Sequence, residues 1–101
     1  SSAVVIATSD DNGQTWGEPS IVDNEGEVLP HIKPQWRDDG AVVWARNAAA
    51  GTVEICAGSE QQTSCTATDF TAIAGLTVDG ETVLASLWRP GERWQIMEST
   101  R

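Results

Sequence analysis

Trp36-Arg37-Asp38-Asp39-Gly40-Ala41-Val42-Val43-Trp44-Ala45 has a counterpart forty residues on, in Leu76-Thr77-Val78-Asp79-Gly80-Glu81-Thr82-Val83-Leu84-Ala85. Each is the end of one segment, an Asp-Gly turn and a Val-containing apolar run, the local signature of an antiparallel hairpin. Aligned this way, Val42-Val43-Trp44-Ala45 falls on Thr82-Val83-Leu84-Ala85. Further along, Val53-Glu54-Ile55-Cys56 falls on Trp94-Gln95-Ile96-Met97 at an offset of 41. Val4-Val5-Ile6-Ala7 suits the same place, with Ile6 and Ile55 separated by 49 because the acidic stretch Asp23 to Leu29 lies inside that interval. A repeat of about 40 residues containing four short strands is the size of one blade of a β-propeller.

Around these segments the sequence predicts nine strands: Ala3–Ser9, Trp16–Val22, Ile32–Arg37, Ala41–Arg46, Thr52–Ala57, Cys65–Asp69, Ala72–Val78, Thr82–Trp88 and Arg93–Ser99. They are rich in Val, Ile, Thr and Trp and bounded by Gly, Asp, Asn and Pro, and no window keeps a helical period. Such spacing fits a sandwich or a propeller, and the repeat selects the propeller. The expectation is therefore an all-β partial propeller of about two and a quarter four-stranded antiparallel blades. Residues 1–30 form an outer half-blade, 31–70 a complete blade and 71–101 three strands of a third. The alternative is a self-contained nine-stranded β-sandwich. A closed ring takes at least four blades. The expected partner is thus the remainder of the propeller, supplied by a second chain or by self-association, with this chain a processed or separately made part.

Composition narrows the function. The chain has 101 residues, with 15 acidic against 6 basic side chains and a formal charge of −9. That balance argues against nucleic acid, whose phosphates need a basic patch, and against an anionic membrane surface. The longest apolar runs, Ala3 to Ala7 and Ala41 to Ala45, are far too short to span a bilayer. Every base lies from Lys33 onward, and the acids of the first thirty residues read as a solvated face.

Ser9-Asp10-Asp11-Asn12-Gly13-Gln14-Thr15-Trp16 resembles the Asp-box, the bacterial neuraminidase repeat of sialidase-like β-propellers. The resemblance implies a structural hairpin between the third and fourth strands of a blade. Gly13 supplies the positive φ, and Ser9, Asp11 and Thr15 hydrogen-bond the local backbone. Trp16 is expected to open the next strand and bury its ring against the blade. Gly58 to Cys65 aligns with Ser9 to Trp16 as a degenerate box, with Cys65 at the Trp16 position and Cys56 at that of Ala7. A Cys56–Cys65 disulfide is then expected in place of the Trp anchor, in a secreted or periplasmic chain; two buried thiols in a cytosolic protein are the alternative. Cys-x8-Cys with a single His is poor zinc spacing, so neither metal nor cofactor is expected.

In sialidase-like proteins the face opposite the box binds ligand, and on this chain it would carry Arg46, Asn47, Trp88, Arg89 and Arg93, with His31 and Lys33. Arginine forks match a carboxylate and Trp88 offers a ring for a sugar. The resemblance also implies a Tyr nucleophile paired with a Glu, an arginine triad and an Arg-Ile-Pro signature. This chain has no Tyr and no Arg-Ile-Pro, so no complete catalytic set is expected from it. Glu25 and Glu27 as an acid–base pair, Asp23 to Glu27 as a calcium loop and His31 as a catalytic group are weaker readings. The expected role is a structural part of a secreted sialidase-like propeller that binds glycan or protein ligands. The alternative is a subunit or processed fragment of an active exo-sialidase, a glycoside hydrolase.

Overall fold

The alternating apolar pattern folds as strands throughout. The computed structural model describes residues 3–23, 27–59 and 62–100, and among these it holds ten strands and no helix. They are β1 (Val4–Ile6), β2 (Ser20–Asp23), β3 (Glu27–Val28), β4 (Gln35–Trp36), β5 (Val42–Asn47), β6 (Val53–Ser59), β7 (Gln62–Ala67), β8 (Ala72–Asp79), β9 (Thr82–Trp88) and β10 (Gln95–Thr100). All pairings are antiparallel and form three sheets, β1–β2, β3/β4–β5–β6–β7 and β8–β9–β10, none of them closed.

The expected strand Ile32–Arg37 is corrected by this arrangement. β3 pairs the far end of β5 and β4 pairs its near end, so the two are halves of one interrupted strand along the same edge. Pro30 and Pro34 lie in the interruption, where a residue without an N–H ends a ladder. Ile32, between them, turns into the core instead. The acidic stretch, expected only as a link, thus contributes strand β3.

The middle sheet is covered on both sides. Successive residues of a strand point to opposite faces, and in β5 Val42, Val43, Trp44 and Ala45 are all buried. Val42 and Trp44 join Val4, Val28 and Cys56 in one cluster, with Ile6, Val22 and Cys65 at its margin. Val43 and Ala45 join Val53, Phe70, Ile73, Leu76, Ala85 and Leu87 in the other. The result is three stacked layers, rather than the two of a sandwich. The radius of gyration of 14.2 Å exceeds the value of about 13 Å usual for a chain of this length.

The ladders also correct the repeat. Val42 pairs Gly58 and Trp44 pairs Cys56, while Val83 pairs Ser99 and Ala85 pairs Met97. Val42 therefore corresponds to Val83 and Trp44 to Ala85, an offset of 41 on both strands. The offset of 40 fails because the β4–β5 turn holds three residues between Arg37 and Ala41, whereas the β8–β9 turn holds two between Asp79 and Thr82. A one-residue slip exchanges the faces of a strand. With the offset corrected, Val83, Ala85 and Leu87 face the middle sheet just as Val42 and Trp44 face the first. Each sheet therefore meets the preceding one through the same face.

Two further expectations change. Trp16 does not open the fourth strand, which begins at Ser20, and the residue is 63% exposed. The segment Gly58 to Cys65 is no box-like loop, because the β6–β7 ladder runs on to Ser59 opposite Gln62. A Cβ on Gly58 would come within 2.3 Å of the Gln62 carbonyl oxygen, so this tight pairing requires glycine.

The expected disulfide is present: Cys56 and Cys65 are direct cross-strand partners joined by an S–S bond, with Cys56 fully buried beside Trp44. Such bonds are typical of extracellular proteins. Closing so short a loop is worth about 2–3 kcal/mol. Replacing both cysteines by alanine is predicted to lower the urea-unfolding free energy by about that amount, with the same far-ultraviolet spectrum retained in the absence of denaturant.

Candidate functional site

Antiparallel ladders sort the connections into two rims. One rim carries the β1–β2 hairpin, the Arg37 to Ala41 turn and the Gly80-Glu81 turn; the last two touch, with the Asp38 N–H donating to the Gly80 carbonyl at 3.0 Å. Arg37 and Asp39 form a two-bonded pair there, both contacts at 2.8 Å. The other rim gathers the ends of β2, β5 and β9, the start of β6 and the loops Leu29 to Pro34, Thr68 to Thr71 and Arg89 to Trp94.

The hairpin of the first rim is held by its own side chains. The Ser9 hydroxyl donates to Asp11 Oδ1 at 2.8 Å and accepts from the Gly13 N–H at 2.8 Å. The Asp11 carboxylate accepts from the Thr15 N–H at 2.9 Å and from the Thr15 hydroxyl at 2.5 Å. Asn12 and Gly13 take φ of 60° and 87°, the left-handed region that asparagine and glycine tolerate best. Trp16 lies against this turn rather than in the core, with a ring carbon 3.8 Å from where a Gly13 Cβ would be. The hairpin closes through the Gly17 N–H on the Thr8 carbonyl at 2.9 Å.

The second rim holds the residues expected to bind ligand. Trp44, 0% exposed, donates its indole N–H to Asp23 Oδ2 at 2.7 Å. Arg46, two residues along the same face, reaches that carboxylate at 3.1 Å and Glu54, its cross-strand partner, at 3.0 Å. Burial works against the Arg46 charge, but Glu54 and Asp23 more than restore it, and its pKa lies above the ordinary arginine value. Asp23 thus ties the first sheet to the middle one. Nothing in the sequence singled it out from the other acids of its stretch.

Arg89 forms a second cluster, with Asp69 and Glu92 each at 2.5 Å and the Phe70 ring 4.7 Å below its guanidinium. Glu92 also accepts from the Gln95 amide at 2.8 Å. Trp88 and Trp94 lie nearby with ring centroids 6.3 Å apart, and Trp94 is exposed. Arg46 and Arg89 therefore each sit between two carboxylates, with which a carboxylate ligand would compete. His31 stands with Nε2 3.5 Å from the Ile73 carbonyl. Asn47 pairs Glu27 and Val53 in the ladders, and Lys33 and Arg93 are exposed. Glu25 lies outside the described residues, as does most of the Asp23 to Glu27 segment read as a calcium loop. Among the described residues no three His, Cys, Asp or Glu side chains gather as a metal site.

Two tests follow. Removing the Asp23 carboxylate strands a buried indole N–H and leaves Arg46 with Glu54 alone of its two carboxylates; Asp23→Ala is predicted to cost about 2–4 kcal/mol, and Asp23→Asn, which keeps an acceptor for Trp44, measurably less, both read by denaturant unfolding. The hydrogen bonds from Thr15 hold the Asp11 carboxyl at about 2, below its usual 3.8, with Ser9 adding to the effect. A depressed carboxylate stabilises the fold above its unfolded pKa, and that contribution disappears as pH falls. The hairpin is predicted to keep its order down to about pH 4 and lose it toward pH 2, with the Asp11 carboxyl carbon and the Thr15 amide titrating together by NMR. No family model, curated protein or solved structure matches the chain.

Proposed function

We propose that the chain is a structural part of an Asp-box β-propeller that presents a glycan- or protein-binding rim, in a secreted or periplasmic protein. The observation that carries this reading is the repeated stacking: three sheets, related by 41 residues where two can be compared, each packed on the preceding one through the same face. That is how successive blades meet in a propeller. The Ser9–Asp11–Thr15 hydrogen bonds and the Cys56–Cys65 bond support the same reading. On this view the chain supplies about two and a quarter blades, and other protein completes the ring.

The two outermost faces support a partner. Val5 and Ile21 point away from the stack at one end, and Ile96, 75% exposed, lies at the other. Ile96 stands where Ile55 stands in the middle sheet, and Ile55 packs against the third sheet. A propeller that continues would cover both ends.

Binding without turnover is favoured over hydrolysis. The chain has no Tyr, and the rim arginines Arg46 and Arg89 are each engaged by carboxylates. The Trp88–Trp94 pair, beside Gln95, is the natural platform for a sugar ring. A glycan array of the purified protein, followed by a fluorogenic sialoside assay, tests this. The expected result is saturable binding weakened about tenfold or more by Trp94→Ala, with no sialoside turnover. Turnover abolished by Arg46→Ala would establish the hydrolase instead.

A further inference from the structure

Equivalent positions of the two larger sheets carry unequal side chains. The wedge between the first and middle sheets is filled by the Trp44 indole, whose N–H is accepted by Asp23. The ladders place Ala85 at the position of Trp44 and Met97 at that of Cys56. Thr68, bonded to Val53, takes the place that Asp23 holds opposite Val4. The wedge between the middle and third sheets therefore lacks the ring that fills its neighbour, and it is an open cleft of about 740 Å³.

The cleft has two kinds of wall. Val43, Ile55, Ala85 and Leu87 line its apolar depth, and Ser64, Thr66 and Thr68 of β7 line one side. That volume lies within the range of small-molecule sites, which pair an apolar lining with a few polar groups. Arg37 and Asp39 at its border satisfy each other at 2.8 Å. Among the described residues no buried side-chain polar atom lacks a partner, so nothing in the cleft calls for a charged occupant.

We propose that this cleft binds a free, neutral, planar heteroaromatic molecule of about the size of indole, in the place that Trp44 occupies one layer away. Its ring lies between the middle and third sheets, and its polar edge meets the β7 hydroxyls. An apolar depth edged by a few hydroxyls is the kind of site that takes up a small aromatic molecule with a polar edge. The proposal rests on the ladder register and the cleft alone, and so stands or falls independently of the propeller reading.

Indole itself is the probe, titrated into the intact protein with methyl NMR as the readout. Saturable shifts are expected at Ala85, Met97 and Thr66 and not at Val4 or Ile6. Ala85→Trp, which restores the missing ring, is expected to weaken indole binding at least tenfold and to raise the melting midpoint. Ala85→Leu fills part of the space and is expected to weaken binding about threefold, which keeps the test decisive should the tryptophan variant not fold. Absence of a saturable shift at Ala85 and Met97, or unchanged affinity in the folded variants, overturns the proposal.

Discussion

Burial of β5 on both faces is the constraint from which the rest of the structure follows. Four consecutive residues, Val42 to Ala45, are removed from water, and a strand can bury consecutive side chains only when a layer lies on each side of it. Val42 and Trp44 demand the first sheet, and Val43 and Ala45 demand the third. The demand of Trp44 is also polar. A buried indole N–H must be accepted, Asp23 accepts it, and Arg46 neutralises the carboxylate that results. One strand thereby fixes two interfaces and the charge cluster at their rim. The disulfide reinforces the same place, since Cys56 shares the cluster of Trp44 and fastens β7 to β6.

The chemistry of the second rim follows from that packing. Arg46 and Arg89 are two of the three arginines of this rim, and each is committed to two carboxylates, with Arg89 also covering Phe70. With a formal charge of −9 for the whole chain, an anionic ligand meets repulsion before it meets an arginine. Neutral sugar or protein surfaces fit this rim better, which is why the proposed role is recognition. The exposed apolar residues at the ends of the stack, Val5, Ile21 and Ile96, are what support the proposal of an assembly larger than this chain.

Much of the fold was legible in the sequence. Strand positions followed from alternation and turn residues, the Cys56–Cys65 pairing from the alignment of two hairpins, and the rim location of Arg46 and Arg89 from the alternation of strand directions. The failures have specific physical causes. The repeat was read one residue out between β5 and β9 because both turns end in Asp-Gly-like segments while their lengths differ by one residue, and length is set by hydrogen bonding that sequence does not display. The Asp-box resemblance puts Trp16 at the start of the next strand with its ring buried, but the hairpin holds it over the Gly13 turn. The interrupted edge strand was missed because Ile32 looks like a strand residue and is in fact a core side chain carried by a turn. Asp23 could not be told from its acidic neighbours, since its role depends on a tryptophan 21 residues away.

The central claim is the register that makes each sheet meet its predecessor through the same face, and methyl NOEs test it most directly. The account predicts cross-peaks linking the Ala85 and Leu87 methyls to the Val43–Ala45 cluster, and none from Leu84, which points to the outer side of the third sheet. Strong cross-peaks from Leu84 to Val43, with Ala85 isolated from the middle sheet, would restore the forty-residue alignment and contradict the stack described here.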